Sequence, residues 1–136
     1  MLIADDSQDD RFFFKRAIES DAPRLHVIGE VWNGSQVLAY LSGEGEYADR
    51  VRYPFPDLLL LDWRMPFKDG REILEWLKTH PLPRLKVAVL ADSSGAPSLS
   101  ELMELGAFCF FPKPATSTQL TQMIRALQDK AGSPPG

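Results

Sequence analysis

Four charged residues follow three separate apolar runs of the chain, and their types could support metal and phosphoryl chemistry. Asp5 and Asp6 follow the first run, Asp62 follows a central run, and Lys113 comes just after the last. Carboxyl ends of neighbouring parallel strands share one edge of a sheet, so these side chains should converge if the runs are strands. Carboxylates brought this close raise one another's pKa unless cations neutralise them. Mg²⁺ and the ammonium of Lys113 are the natural cations for such a site.

A carboxylate beside Mg²⁺ and a lysine can attack phosphorus and become an aspartyl phosphate. The pattern therefore favours phosphoryl acceptance. Each part also has a simpler interpretation. Asp5 and Asp6, or Asp62, could cap a helix, and Lys113 could be an ordinary solvated lysine. The prediction depends on all four residues lying at the same edge of one sheet.

The elements that would position these residues form a repeating pattern. Apolar runs alternate five times with amphipathic segments of helical spacing. The runs are Leu2–Ala4, His26–Val31, Asp57–Leu61, Lys86–Leu90 and Ala107–Phe111. The segments follow helix-start patterns such as Ser7-x-x-Asp10 and Asp69-x-x-Glu72. Five βα units predict an α/β protein, a (βα)5 flavodoxin-like three-layer sandwich with a parallel five-stranded sheet in the order 2-1-3-4-5.

Length and composition limit the remaining possibilities. The chain has 136 residues, so we expect one domain over residues 1–131 and a disordered tail over 132–136. Its net charge of −4 disfavours direct nucleic-acid binding. The single cysteine, Cys109, cannot form an internal disulfide, and no apolar run approaches the roughly 18 residues that span a bilayer. A cytoplasmic protein without a membrane association is expected.

Four stretches of the sequence resemble the receiver domain of two-component response regulators. Residues Asp62 to Gly70 resemble the motif D-x-x-M-P-x-x-D-G around the phosphorylated aspartate. Asp5-Asp6 resembles the acidic pair, and Gly106 to Pro114 resembles the G-A-x-x-aromatic-x-x-K-P ending. Tyr40 to Arg50 resembles single-domain receivers found beside phytochrome-type sensor kinases. The resemblance covers nearly the whole chain.

The resemblance implies a role for each matching residue. Asp62 would accept a phosphoryl group from the phosphohistidine of a sensor histidine kinase. Asp6 would bind Mg²⁺ directly, Asp5 mainly through water, and Arg64 through its backbone carbonyl. Lys113 would pair first with Asp62 and then with the phosphoryl oxygens, and the Lys113–Pro114 bond would be cis.

The region that receivers use as a switch departs from the family pattern. Ala91 stands where receivers place Thr or Ser, so the hydroxyl that would bond a phosphoryl oxygen is missing. Asp92 follows it and either repels the phosphoryl group or is a solvated loop carboxylate. Ser93 or Ser94 could supply a hydroxyl if the loop register differs. Phe110 falls at the switch-aromatic position, although plain packing explains it equally well.

Three functions remain open from the sequence. The first is a stand-alone receiver that binds Mg²⁺, accepts phosphate on Asp62, and signals to an unknown downstream protein through an atypical switch. The second is a phosphorylation-independent interaction module, which would use the fourth helix, fifth strand and fifth helix to bind a partner or a second copy. The third is an Mg²⁺-dependent phosphohydrolase with an aspartyl nucleophile, although Asp62-Trp63-Arg64 lacks the D-x-D pattern of haloacid dehalogenases. In the first two the chain is not an enzyme beyond self-phosphotransfer and autodephosphorylation.

Overall fold

Strands and helices alternate along the chain. The computed structural model describes residues 1–92 and 97–131. Within these ranges the strands are β1 Leu2–Ala4, β2 Gly29–Val31, β3 Leu58–Asp62, β4 Lys86–Ala91 and β5 Cys109–Pro112. The helices are α1 Gln8–Asp21, α2 Gly34–Ser42, α3 Gly70–Thr79, α4 Leu99–Glu104 and α5 Ser117–Ala131, with a short 3-10 helix at Gly45–Ala48. None of these helices combines the length and apolar character that crossing a bilayer requires.

The five strands form one parallel sheet in the order β2-β1-β3-β4-β5, which confirms the predicted fold class. Ala4 of β1 lies beside Leu61 of β3, so the residues that follow these two positions share one edge. At the other side of the sheet, Ala91 lies beside Pro112 of the edge strand β5, which tolerates the missing N–H of proline. The topology therefore brings the ends of β1, β3, β4 and β5 together.

The central strand β3 is buried on both faces because helices cover both sides of the sheet. Leu59 and Leu61 belong to the core beneath α2, α3 and α4, whereas Leu58 and Leu60 belong to the core beneath α1 and α5. Alternate side chains of a strand point to opposite faces, so one run of four leucines supplies both cores. The sheet is consequently a rigid layer from which the polar residues at its edge project.

Side-chain caps fix the helix starts that the sequence predicted. Asp69 and Glu72 form a complete capping box at the start of α3. At α1 only half of the predicted box forms. The Ser7 hydroxyl accepts from the Asp10 N–H at 3.2 Å, but the Ser7 N–H donates to Asp5 Oδ1 at 2.9 Å. The carboxylate of Asp10 is therefore not used to cap α1.

Two sequence expectations were wrong and one lies outside the described residues. The second strand begins at Gly29 rather than His26, because its regular pairing with β1 begins only where Gly29 lies beside Leu2. The Lys113–Pro114 peptide bond is trans. The trans form is preferred even before proline, by about 0.5–1 kcal/mol, and here the Lys113 N–H bonds to the Ala91 carbonyl in this geometry. The expected tail, 132–136, lies outside the described residues.

Candidate functional site

Three aspartates meet at the carboxyl edge of the sheet. Asp5 follows β1, Asp62 ends the adjacent strand β3, and each of Asp5, Asp6 and Asp62 has a carboxylate oxygen within 4.8 Å of the other two. Asp5 and Asp62 are buried, and Asp6 is exposed at the mouth of the group. The convergence follows from the pairing of β1 with β3.

Arg11 supports the turn that carries Asp5, and its role was not predicted. Its guanidinium donates to the Asp5 carbonyl at 2.7 Å and pairs with Glu30 at 2.9 Å. Arg11 is itself buried, and the backbone N–H of Asp5 bonds to Val31 of β2. These contacts tie the first turn of α1 to the edge of the sheet and fix the backbone of Asp5 there.

The ammonium group of Lys113 lies among three carboxylates. Lys113 Nζ is 3.3 Å from Asp5 Oδ2, 3.3 Å from Asp62 Oδ2 and 3.1 Å from Asp10 Oδ2. Burial alone would lower the pKa of Lys113, but the negative charges of Asp62, Asp5 and Asp10 outweigh it and raise that pKa. Lys113 therefore stays protonated at this site. Asp10 was not among the predicted site residues.

The two buried carboxyl groups carry more negative charge than the lysine can neutralise. Burial and the nearby charge of Asp5 raise the pKa of Asp62 to about 7, although Lys113 and the Arg64 N–H oppose the shift. Burial likewise raises the pKa of Asp5. Within the described residues, Asp5 Oδ2 is buried and accepts no hydrogen bond. Lys113 Nζ lies 3.3 Å from it as an ion-pair partner. An unsatisfied carboxylate oxygen beside two further carboxylates fits a divalent cation that prefers oxygen ligands.

A cavity of about 190 Å³ opens beside Asp62. Its lining residues are Asp6, Asp62, Trp63, Arg64, Ala91, Asp92 and Lys113. Ala91 is buried and presents only a methyl group, so it offers no hydroxyl to a bound anion. The exposed residue Asp92 adds a carboxylate to the lining. Ser93 and Ser94, considered above as substitute donors, lie outside the described residues.

Arg64 and Phe110 occupy the neighbourhood that the sequence predicted. The Arg64 N–H donates to Asp62 Oδ1 at 3.4 Å, and the role of its carbonyl as a metal ligand stays a prediction. Phe110 pairs with Val89 in the sheet and packs, partly buried, against the core on the α4 side. Its role as a switch also stays a prediction.

The loop between β3 and α3 is shaped by contacts with the start of α2. Phe67 and Lys68 adopt φ angles of 54° and 95°, which non-glycine residues rarely do. The Gly34 N–H donates to the Pro66 carbonyl at 3.2 Å, and the Ser35 hydroxyl donates to the Phe67 carbonyl at 3.2 Å. A Cβ at Gly34 would lie 2.0 Å from the Lys68 carbonyl oxygen, so only glycine permits this approach. The contacts hold the loop that leaves Asp62 in one position.

A parallel sheet of this order, with an aspartate cluster and a lysine at its carboxyl edge, defines a class of signalling domain. The profile of the response regulator receiver domain matches residues 1–125, and the chain belongs to this family of two-component signalling proteins.

Two similar proteins are phytochrome-associated or metal-bound receivers. The chain is 30% identical over 129 residues to the response regulator Rcp1 of Synechocystis sp., covering 94% of this chain and 85% of Rcp1. The crystal structure of the phosphorylated cyanobacterial phytochrome response regulator RcpA superposes with a TM-score of 0.83 at 32% identity, covering 97% of this chain and 92% of RcpA. The Mn²⁺-bound form of Rcp1 superposes with a TM-score of 0.74 at 28% identity, covering 94% of this chain and 90% of that one.

Similarity to one group of enzymes is confined to part of those enzymes. The protein-glutamate methylesterase/protein-glutamine glutaminase of Pyrococcus abyssi is 32% identical over 131 residues, covering 96% of this chain but 32% of the enzyme. The family model places the same residues in the receiver domain. The match therefore assigns no esterase activity to this chain.

Proposed function

We propose that this chain is a receiver of a two-component phosphorelay that binds Mg²⁺ and accepts a phosphoryl group on Asp62 from a sensor histidine kinase. The observation that carries the proposal is the position of Lys113 Nζ, 3.3 Å from Asp62 Oδ2 at the wall of a cavity. A buried carboxylate paired with an ammonium and open to a cavity is arranged for nucleophilic attack on phosphorus.

In the proposed reaction, an Asp62 carboxylate oxygen attacks the phosphorus of a phosphohistidine. The new O–P bond forms as the N–P bond to the imidazole breaks, and the imidazole nitrogen keeps the electron pair and takes up a proton. Asp62 must be ionised to attack, and even with Lys113 beside it the pKa of Asp62 lies at about 7, so a further cation would favour the ionised form at neutral pH. Lys113 would pair with the phosphoryl oxygens after the transfer. Bound Mg²⁺ would supply charge neutralisation of the phosphoryl group.

The proposed metal ligands follow the positions of the carboxylates. Asp6 would bind Mg²⁺ directly, Asp5 mainly through water, and Arg64 through its backbone carbonyl. Support comes from the unsatisfied Asp5 Oδ2, from the cluster of three aspartates, and from the Mn²⁺-bound form of the similar protein Rcp1.

We further propose that residues 1–131 act as a single-domain receiver that signals through protein contacts. The chain covers 85% of the length of Rcp1, and RcpA is a phytochrome response regulator, so a phytochrome-type sensor kinase is the favoured phosphoryl donor. The α4-β5-α5 face is the proposed surface for a downstream protein or a second copy, since Leu99 and Met103 of α4 are exposed there.

One observation favours a second function. Ala91 and Asp92 both line the cavity, so position 91 presents a methyl group in place of the usual hydroxyl and position 92 adds a carboxylate. Both features weaken the response to a phosphoryl group that carries a charge of about −2. They favour an interaction module whose partner surface works without phosphorylation.

Binding of beryllofluoride in the presence of Mg²⁺ distinguishes the phosphoryl acceptor from the interaction module, because beryllofluoride mimics a phosphoryl group on aspartate. We expect wild type to bind beryllofluoride only with Mg²⁺, with amide NMR shifts centred on Asp62 and Lys113, and we expect Asp62→Asn to abolish this binding. We also expect phosphotransfer from a phytochrome-type sensor kinase to wild type alone. A folded wild type that shows neither response would contradict phosphoryl acceptance and leave the interaction module.

A further inference from the structure

Asp10 gives Lys113 its closest carboxylate contact, at 3.1 Å, although it does not belong to the aspartate cluster. Asp10 lies in the first turn of α1 and its side chain is 38% exposed. The ammonium of Lys113 donates a hydrogen bond to Asp62 Oδ2, and carboxylate oxygens of Asp5 and Asp10 lie at ion-pair distances of 3.3 and 3.1 Å from it. A phosphoryl oxygen that binds Lys113 therefore competes with these carboxylates for the ammonium charge.

The carboxylate of Asp10 is available for Lys113 because the helix start does not use it. In a complete capping box this side chain would reach back to the Ser7 N–H. Asp5 Oδ1 occupies that N–H at 2.9 Å, and the Asp10 backbone N–H alone bonds to the Ser7 hydroxyl. In the turn before α1, the Asp5 carboxylate thus accepts from the Ser7 N–H, and the Asp10 carboxylate contacts Lys113 instead.

We propose that Asp10 is a positioning residue that shares Lys113 with Asp62 and weakens the hold of this lysine on the phosphoryl group. The inference rests on the proposed phosphoryl acceptance at Asp62. When the phosphoryl group arrives, Lys113 must turn from Asp10 towards it. Asp10 therefore limits the affinity of the site for the phosphoryl anion and shortens the life of the phosphorylated state.

Removal of the Asp10 charge should affect anion and cation binding in opposite directions. Asp10→Asn frees the ammonium for a bound anion and removes a negative charge near it, so beryllofluoride should bind more tightly. The same change removes a negative charge that attracts the cation, and in the anion-free protein it leaves Lys113 paired with Asp5 and Asp62 alone, so Mg²⁺ should bind more weakly. For a partly screened charge a few ångströms from the site, we expect a change of about three- to tenfold in each dissociation constant.

The experiment compares Asp10→Asn with Asp9→Asn, its neighbour in the same helical turn. Both substitutions remove one negative charge from the start of α1, so their effects on the helix dipole match. Asp9 is exposed and forms no ion pair within the described residues. Mg²⁺ affinity is measured by calorimetry, and beryllofluoride affinity is then measured at saturating Mg²⁺. The rate of loss of phosphate from the phosphorylated protein provides a third readout.

The inference predicts tighter beryllofluoride binding, weaker Mg²⁺ binding and slower loss of phosphate for Asp10→Asn, with changes below about twofold for Asp9→Asn. Asp10→Glu should restore values close to wild type, because it restores the charge. Weakening of both ligands in Asp10→Asn would indicate a purely structural role and overturn the inference, as would changes equal to those of Asp9→Asn. Failure of the proposed function gives a different result, since wild type itself would then bind no beryllofluoride.

Discussion

Replacement of Asp62 by asparagine should stabilise the metal-free protein, because it removes a buried negative charge while keeping the shape of the side chain. Burial and Asp5 raise the pKa of Asp62 from 3.8 to about 7. At about 1.4 kcal/mol for each tenfold change in proton binding, this corresponds to about 4 kcal/mol of unfavourable free energy in the ionised folded protein. Relaxation and water entry reduce such penalties, so we expect Asp62→Asn to raise the free energy of unfolding by about 1–3 kcal/mol at pH 8.

The effect has a defined dependence on pH. The pKa of Asp62 is higher in the folded protein than in the unfolded chain, so the folded protein binds more protons between pH 3.8 and about 7. Stability from this group is therefore present below pH 3.8 and is lost as the pH rises to about 7. The advantage of Asp62→Asn should be full at pH 8 and vanish at about pH 3.5. Saturating Mg²⁺ should stabilise wild type more than the variant.

Urea unfolding at both pH values, with and without Mg²⁺, measures these differences. Glu19→Gln is the control, because it neutralises an exposed carboxylate of α1 and should change stability by less than about 0.5 kcal/mol. An unfavourable buried charge at Asp62 is excluded if Asp62→Asn is no more stable than wild type at pH 8 without divalent ions, or if its advantage is the same at both pH values.

Three further substitutions test other parts of the site. Ala91→Thr restores a hydroxyl to the cavity wall and should tighten beryllofluoride binding by about tenfold, since a hydrogen bond to a charged group is worth about 1.5–3 kcal/mol. An unchanged affinity and NMR response would exclude this explanation of the switch. Asp6→Ala should weaken Mg²⁺ binding by at least about tenfold in calorimetry, and equal affinities would remove Asp6 from the metal site. Gly34→Ala places a Cβ 2.0 Å from the Lys68 carbonyl oxygen and should lower the free energy of unfolding by more than about 2 kcal/mol. Gly29→Ala, with ordinary contacts of 3.5 Å, should have a much smaller effect, and similar losses for both would contradict the close approach at Gly34.

The fold could be predicted from the sequence because its signals are local and repeated. A strand that is apolar at every position, such as Leu58–Leu61, requires helices on both faces, and five alternations leave few topologies. The meeting of Asp5, Asp62 and Lys113 follows from that topology, since each residue lies at or just after the carboxyl end of a strand. The sequence therefore predicted these site positions before any distance was known.

Asp10 and Arg11 could not be predicted, because their roles depend on competition between contacts in the folded chain. The pattern Ser7-x-x-Asp10 indicates a capping box, but Asp5 occupies the Ser7 N–H that the box requires. One signal was present, since aspartate is shorter than the Glu or Gln of a typical box. Asp10 also lies one helical turn before the buried Phe14, so it faces the sheet. From its sequence position alone, Arg11 is expected to be a solvated helical residue, and only the folded structure brings Glu30 beside it.

Chemical mapping of the phosphorylated residue tests directly whether Asp62 accepts the phosphoryl group. Wild type is incubated with Mg²⁺ and acetyl phosphate, the acyl phosphate is reduced with borohydride, and the modified residue is located by peptide mass spectrometry. We expect homoserine at position 62 in wild type, and none at any position without Mg²⁺ or in Asp62→Asn. Reduction products at another aspartate, or none in a folded wild type treated alongside a receiver that is labelled, would contradict it.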